Sequence, residues 1–130
     1  MITKEPFGIV VPTRNDPERC LDIVRRISAD VEQSKILRPI QVILLVNDTD
    51  TETAKATENA VIGAGIKNIA VRFIFSPQNY LTVEENIFRN LGDNLATLTD
   101  KFIIPGNSDR IQIDALMTAI DEMETHGLDL

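Results

Sequence analysis

Asp109, preceded by Asn107 and Ser108, forms an oxygen-rich trio of the kind a hard divalent cation prefers. A cation held there would bridge a diphosphate and stabilise its departure as a leaving group. The same three residues are also ordinary turn formers that can cap a following helix, and spacing alone leaves both readings open. Asn47 and Asp48 offer an amide and a carboxylate that can donate to and accept from the edge of a base or a ribose. The competing reading is a loop running into a helix cap. Arg89 can grip a phosphate through two parallel hydrogen bonds. Standing four residues after Glu85, it can equally close a surface ion pair.

These polar groups share a placement: they follow short apolar runs. Phe7 to Val11 stops on Pro12-Thr13-Arg14-Asn15-Asp16, Val42 to Val46 on Asn47-Asp48-Thr49-Asp50, and Phe102 to Ile104 on Pro105-Gly106-Asn107-Ser108-Asp109-Arg110. Runs rich in Val and Ile that alternate with helical patterns read as buried parallel strands. Open parallel sheets bind ligands beyond the carboxyl ends of their strands. The three clusters should therefore converge on one rim.

The elements follow from periodicity and punctuation. Asp16 is placed to cap a helix with Pro17 at its first position, and Cys20, Ile23, Val24, Ile27 and Val31 form its inward stripe. Ile40 to Val46 is apolar at nearly every position, as a central strand covered on both faces must be. Thr49 with Glu52 matches a capping box for a helix to about Ile62, ended by Gly63 or Gly65. Ile69 to Phe75 reads as the third strand. Thr82 with Glu85 caps another helix whose seam is expected at Val83, Ile87, Leu91 and Leu95. Phe102 to Ile104 is the fourth strand, and a last helix is expected over about Ile113 to Glu124. The pattern predicts one domain over residues 1–130: an α/β fold, a three-layer α/β/α sandwich with a mostly parallel central sheet.

Composition narrows the function. The 130 residues are 43% hydrophobic and 25% charged, enough for a core and a solvated surface. A net charge of −7 argues against nucleic acid, whose phosphates require clustered Lys and Arg. The single Cys20 makes no intrachain disulfide and reads as packing, compatible with a reducing compartment and a cytoplasmic location. No run reaches the roughly 18 apolar residues of a membrane span. Gly63-Ala64-Gly65 precedes a strand instead of opening a helix, so it is no dinucleotide fingerprint, and there is no P-loop. With His126 the only histidine, His-based zinc sites and a Ser-His-Asp triad are disfavoured.

In order and spacing the clusters resemble the nucleotide-sugar-binding part of family-two glycosyltransferases of the GT-A fold. Those begin with a strand ending in a P-T-x-N-type turn, here Phe7 through Asn15. A second strand ends in V-D-D-x-S-x-D, of which Val46-Asn47-Asp48-Thr49-Asp50 is a variant. An Asn-containing loop and a helical A-R-N follow, matched by Asn79 and Phe88-Arg89-Asn90. The D-x-D metal motif has its counterpart in Gly106-Asn107-Ser108-Asp109. The resemblance implies a nucleoside diphosphate-sugar as donor and an acceptor hydroxyl. It implies that Pro12, Thr13 and Arg14 line the nucleoside pocket, with Asn47 among the nucleotide-binding residues, Asp48 at the base and Arg89 near the nucleotide or its phosphates. Ser108 would stand beside the nucleotide, and Asp109 would ligate Mg2+ or Mn2+. Asn47 and Asn107-Ser108 stand where the family carries acidic residues, so metal binding should be weak. The family's enzymes continue into an acceptor-binding segment that supplies the general base. No convincing base is found here, so the chain is expected to lack that segment and to be incomplete or inactive by itself. The alternative expectation is a non-catalytic α/β module for protein association, homo-oligomers included, whose rim clusters merely cap helices.

Overall fold

Strand β1 (Phe7–Arg14) pairs in parallel with β2 (Ile40–Asn47), which pairs in parallel with β3 (Ala70–Phe75); β4 (Lys101–Ile103) lies parallel on the other side of β1. The sheet order is thus β3-β2-β1-β4, in a computed structural model that describes residues 6–14, 16–34, 38–47, 50–76, 78–94 and 101–104. Helix α1 (Pro17–Gln33) joins β1 to β2, and α2 (Thr51–Gly63) joins β2 to β3. After β3 comes one helical stretch in three parts: α3 (Val83–Asn86), a π-helical turn (Ile87–Leu91) and α4 (Gly92–Asn94).

This strand order dictates the layers. Right-handed crossovers from β1 to β2 and β2 to β3 place their helices on one face; the return past β1 to β4 places the third helical stretch on the other. The packing follows suit. Phe7, Ile9, Val11, Val42, Leu44 and Val46 point to one side, where α1 contributes Cys20, Ile23, Val24 and Ile27 and α2 contributes Val61. The alternate residues Val10, Ile43 and Leu45, with Ile74, form a smaller cluster on the other side, against Ile87, Leu91 and Phe102. Full burial of each such aliphatic side chain stabilises the fold by roughly 1.5–3 kcal/mol. The α/β fold with a sheet sandwiched between helical layers is as the sequence predicts, and all four strands are parallel.

Local signals explain the ends. Asp16 caps α1, its Oδ1 accepting from the N–H groups of Glu18 (3.0 Å) and Arg19 (3.2 Å), with Pro17 following. Thr82 Oγ1 accepts from Glu85 N–H at 3.1 Å. Gly65, with φ +67°, takes the left-handed conformation after α2. The cap of α2 is Asp50, which accepts from the N–H groups of Glu52 and Thr53. The expected capping box began at Thr49, which lies outside the described residues.

Two expectations need correction. β1 runs three residues past Val11, through Pro12, Thr13 and Arg14, which pair with Leu45, Val46 and Asn47. Pro12 is tolerated because the β4 ladder ends at Ile9, so among the described residues this part of β1 pairs with β2 alone. The expected seam of the third helix holds at Ile87 and Leu91, which pack on the second cluster, but not at Val83. Val83 is 51% exposed and Ile87 and Leu91 are half-buried, whereas Asn86 and Asn90 are each only 2% exposed. An amide can be buried when its hydrogen bonds are met, and both are. Leu95 and the last helix expected near 113–124 lie outside the described residues.

Candidate functional site

The turn from β1 into α1 is tied at one carbonyl. Arg14 O accepts from Asp16 N–H (2.9 Å), from the Thr13 hydroxyl (3.3 Å) and from the Cys20 thiol (3.5 Å). Thr13 and Cys20 are buried behind this turn, with Thr13 Oγ1 4.0 Å from Cys20 Sγ. Burial, the dominant cause, pushes the Cys20 thiol above its ordinary value, so the sulfur is a protonated packing group and not a nucleophile. The main chain is thereby fixed while the Arg14 side chain remains exposed at the rim.

At the end of β2, Asn47 performs backbone-like pairing with its side chain. Its Oδ1 accepts from Tyr80 N–H at 2.8 Å and its Nδ2 donates to Tyr80 O at 2.7 Å. This double bond of recognition holds the segment after β3 against the sheet rim, with the Tyr80 side chain buried beneath. The anchor continues inward. Ser76 N–H and Oγ both donate to Val46 O at 3.0 Å, and Ser76 Oγ lies 3.4 Å from Asn47 Oδ1. Asn90 Nδ2 donates to Ser76 Oγ (2.9 Å) and to Asn86 Oδ1 (2.6 Å), while Asn86 Nδ2 donates to Leu45 O (3.0 Å). One more rung, Asn94 Nδ2 to Asn90 O at 2.7 Å, completes a ladder of asparagines beneath the rim. An amide can donate and accept at once in such positions, which a carboxylate cannot do.

Between the β1–α1 turn and the Tyr80 segment lies a cleft of about 790 Å3, a size suited to a small-molecule ligand. Pro12, Thr13, Arg14 and Asn47 all line it, so four of the residues singled out from the sequence come together at the carboxyl ends of β1 and β2. Arg89 does not: it is exposed beside Phe88 and Asp93 in a separate shallow depression. Nor is an ion pair with Glu85 formed among the described residues. Asp48, Ser108 and Asp109 lie outside the described residues. Among the described residues no group of three or more His, Cys, Asp or Glu side chains is arranged to hold a metal ion.

The cleft also takes in residues the sequence reading did not single out for binding: Asp16, Arg19, Tyr80, Leu81 and Thr82. Arg19 follows from the Asp16 cap, since a residue in the first turn of α1 must stand at the same rim. The Tyr80 contact carried no sequence signal, because a side chain pairing with a remote main chain leaves no periodicity.

No protein-family model matches the sequence, and no curated protein matches it. Among solved structures, the fold is similar to that of TarS from S. aureus, with a TM-score of 0.50 and 12% sequence identity. The likeness covers 93% of this chain but 20% of the TarS chain, so this chain spans about a fifth of that protein. TarS is a glycosyltransferase, and the likeness shows a shared α/β fold. Among the described residues no helix is long and apolar enough to cross a membrane.

Proposed function

We propose that this chain is the donor-binding part of a glycosyltransferase, of GT-A type, and that the cleft beyond β1 and β2 receives the nucleoside diphosphate portion of a sugar donor. The observation that carries this reading is the convergence of Pro12, Thr13, Arg14 and Asn47 on one polar cleft at the strand ends of a parallel sheet. Likeness to a glycosyltransferase fold supports it. In this reading Pro12 and Thr13 form a rigid floor for the nucleoside, and Asn47 shapes the opposite wall by holding Tyr80 in place. In this reading the donor's sugar passes to an acceptor hydroxyl, and Asp16 is a carboxylate that lines the cleft.

Mg2+ or Mn2+ fits this reading only through residues outside the described set, with Asp109 as ligand and Asp48 and Ser108 beside the nucleotide. The described residues by themselves make no cation site, and the binding role of the cleft does not depend on one. Calorimetric titration with UDP and GDP, each with and without Mn2+, tests the proposal. Saturable binding of either nucleotide, weakened by a bulky substitution such as Thr13→Trp, is the expected outcome. A folded chain that binds neither refutes it.

A second reading, a module for protein association, is favoured by two exposed apolar side chains, Leu81 (94%) and Phe88 (80%). Sedimentation of the chain and of Phe88→Glu separates the two. Self-association abolished by the substitution supports the association module, and a monomer at all concentrations speaks against homo-oligomers.

A further inference from the structure

We propose that Arg14 and Arg19 together form the anion-binding side of the cleft and hold the phosphate groups of a nucleoside diphosphate. This rests on the nucleotide reading of the cleft and assigns its polarity. The sequence pattern pointed to Arg89 for this role, but Arg89 stands in a different depression. Among the described residues, the charged side chains that line the cleft are Arg14, Arg19 and Asp16.

Asp16 is partly spoken for, since its Oδ1 accepts the N–H groups of Glu18 and Arg19. Both guanidinium groups are exposed, and neither joins the ion pair found among the described residues, Arg26 with Asp22. Two cations facing a concave polar surface, in a chain of net charge −7, are placed to attract an anion that the rest of the molecule repels. Guanidinium groups suit phosphate oxygens because their donors are paired and planar. The Arg14 main chain is locked by three donors to its carbonyl, and Arg19 is set by the α1 cap, so both side chains spring from fixed points. The opposite wall offers uncharged groups at Asn79 and Thr82, suited to ribose or base. The ligand would therefore lie with its phosphates over the start of α1 and its nucleoside against the segment held by Asn47.

The test is titration of the 130-residue chain, and of Arg14→Ala, Arg19→Ala and Arg89→Ala, with UDP, uridine and inorganic pyrophosphate. Because all three arginines are exposed, unchanged melting temperatures are expected. Arg14→Ala and Arg19→Ala should each weaken UDP and pyrophosphate roughly tenfold or more, the value of a charge-assisted hydrogen bond, and leave uridine unaffected. Arg89→Ala should change nothing. UDP affinity that survives both cleft substitutions, or is lost in Arg89→Ala, overturns the assignment while leaving the nucleotide reading intact. If pyrophosphate binds through Arg14 and Arg19 but UDP does not bind, the anion site stands and the nucleotide reading falls. If the native chain binds neither, both fall.

Discussion

The two faces of this sheet are built on different principles. Against α1 and α2 the sheet packs aliphatic side chains at the spacing each element's geometry requires, and the contact is non-directional. Against the third helical stretch Val10, Ile43 and Leu45 pack on Ile87 and Leu91, but the most deeply buried residues of the stretch itself are Asn86 and Asn90, in and beside a π-turn, which add a chain of directed hydrogen bonds. Apolar packing tolerates small shifts in position; a satisfied amide network does not, because each lost partner leaves a buried polar atom unmet. The second face therefore sets position. Its network ends at Asn47 and Tyr80, on the wall of the cleft, and π-turns are frequent at functional sites.

The contrast can be broken at several points. Ile9→Ala, in the apolar face, should cost about 2–5 kcal/mol in chemical denaturation, yet leave any ligand affinity of the remaining folded fraction unchanged. Asn90→Ala should cost about 1–3 kcal/mol. With Ser76→Ala it should be strongly non-additive, since the two side chains share one bond; additive losses would dissolve the network argument. Asn47→Asp keeps size and shape but sets a carboxylate oxygen against Tyr80 O. A loss of about 1–3 kcal/mol is expected, together with weaker nucleotide binding, measured by denaturation and calorimetry. If stability falls and binding does not, the ladder supports the fold alone.

The smallest effect lies at Asp50, whose carboxyl is held below its ordinary value by hydrogen bonds from Thr53, through backbone and side chain, and then from Glu52 N–H. A depressed folded value means the ionised cap stabilises α2 at neutral pH, and this contribution is lost as pH falls through the folded value. Asp50→Asn keeps a capping oxygen, so its melting temperature should be less sensitive to acid than that of the native chain. Equal acid sensitivity would show that Asp50 contributes nothing to it.

Much of the first face could be read from the chain. Cys20, Ile23, Val24 and Ile27 repeat at helical spacing, and the Asp16-Pro17 pair marks where α1 starts. Such signals are local, so they survive in a one-dimensional pattern. The polar clusters after β1 and β2 were legible for the same reason, as abrupt ends of apolar runs. The second face was read in part: apolar periodicity found Ile87 and Leu91, which pack on it, but it also nominated the exposed Val83 and missed Asn86 and Asn90. Asparagine at such spacing is ordinarily a solvated surface. Besides the bond between the two asparagines, their burial depends on the remote partners Leu45 O and Ser76 Oγ, which stand 41 and 14 residues away in the chain. Arg89, expected near the nucleotide or its phosphates, stands on the exposed side of the third helical stretch in a separate depression.

Backbone amide NMR on the labelled chain, titrated with UDP or GDP, tests the donor-site reading most directly. Binding in the cleft predicts saturable shifts at Thr13, Arg14, Arg19 and Tyr80 to Thr82, with Ile62 and Lys67 on distant surfaces unmoved. Shifts confined to the depression around Arg89, or none at millimolar nucleotide on a folded chain, would contradict it.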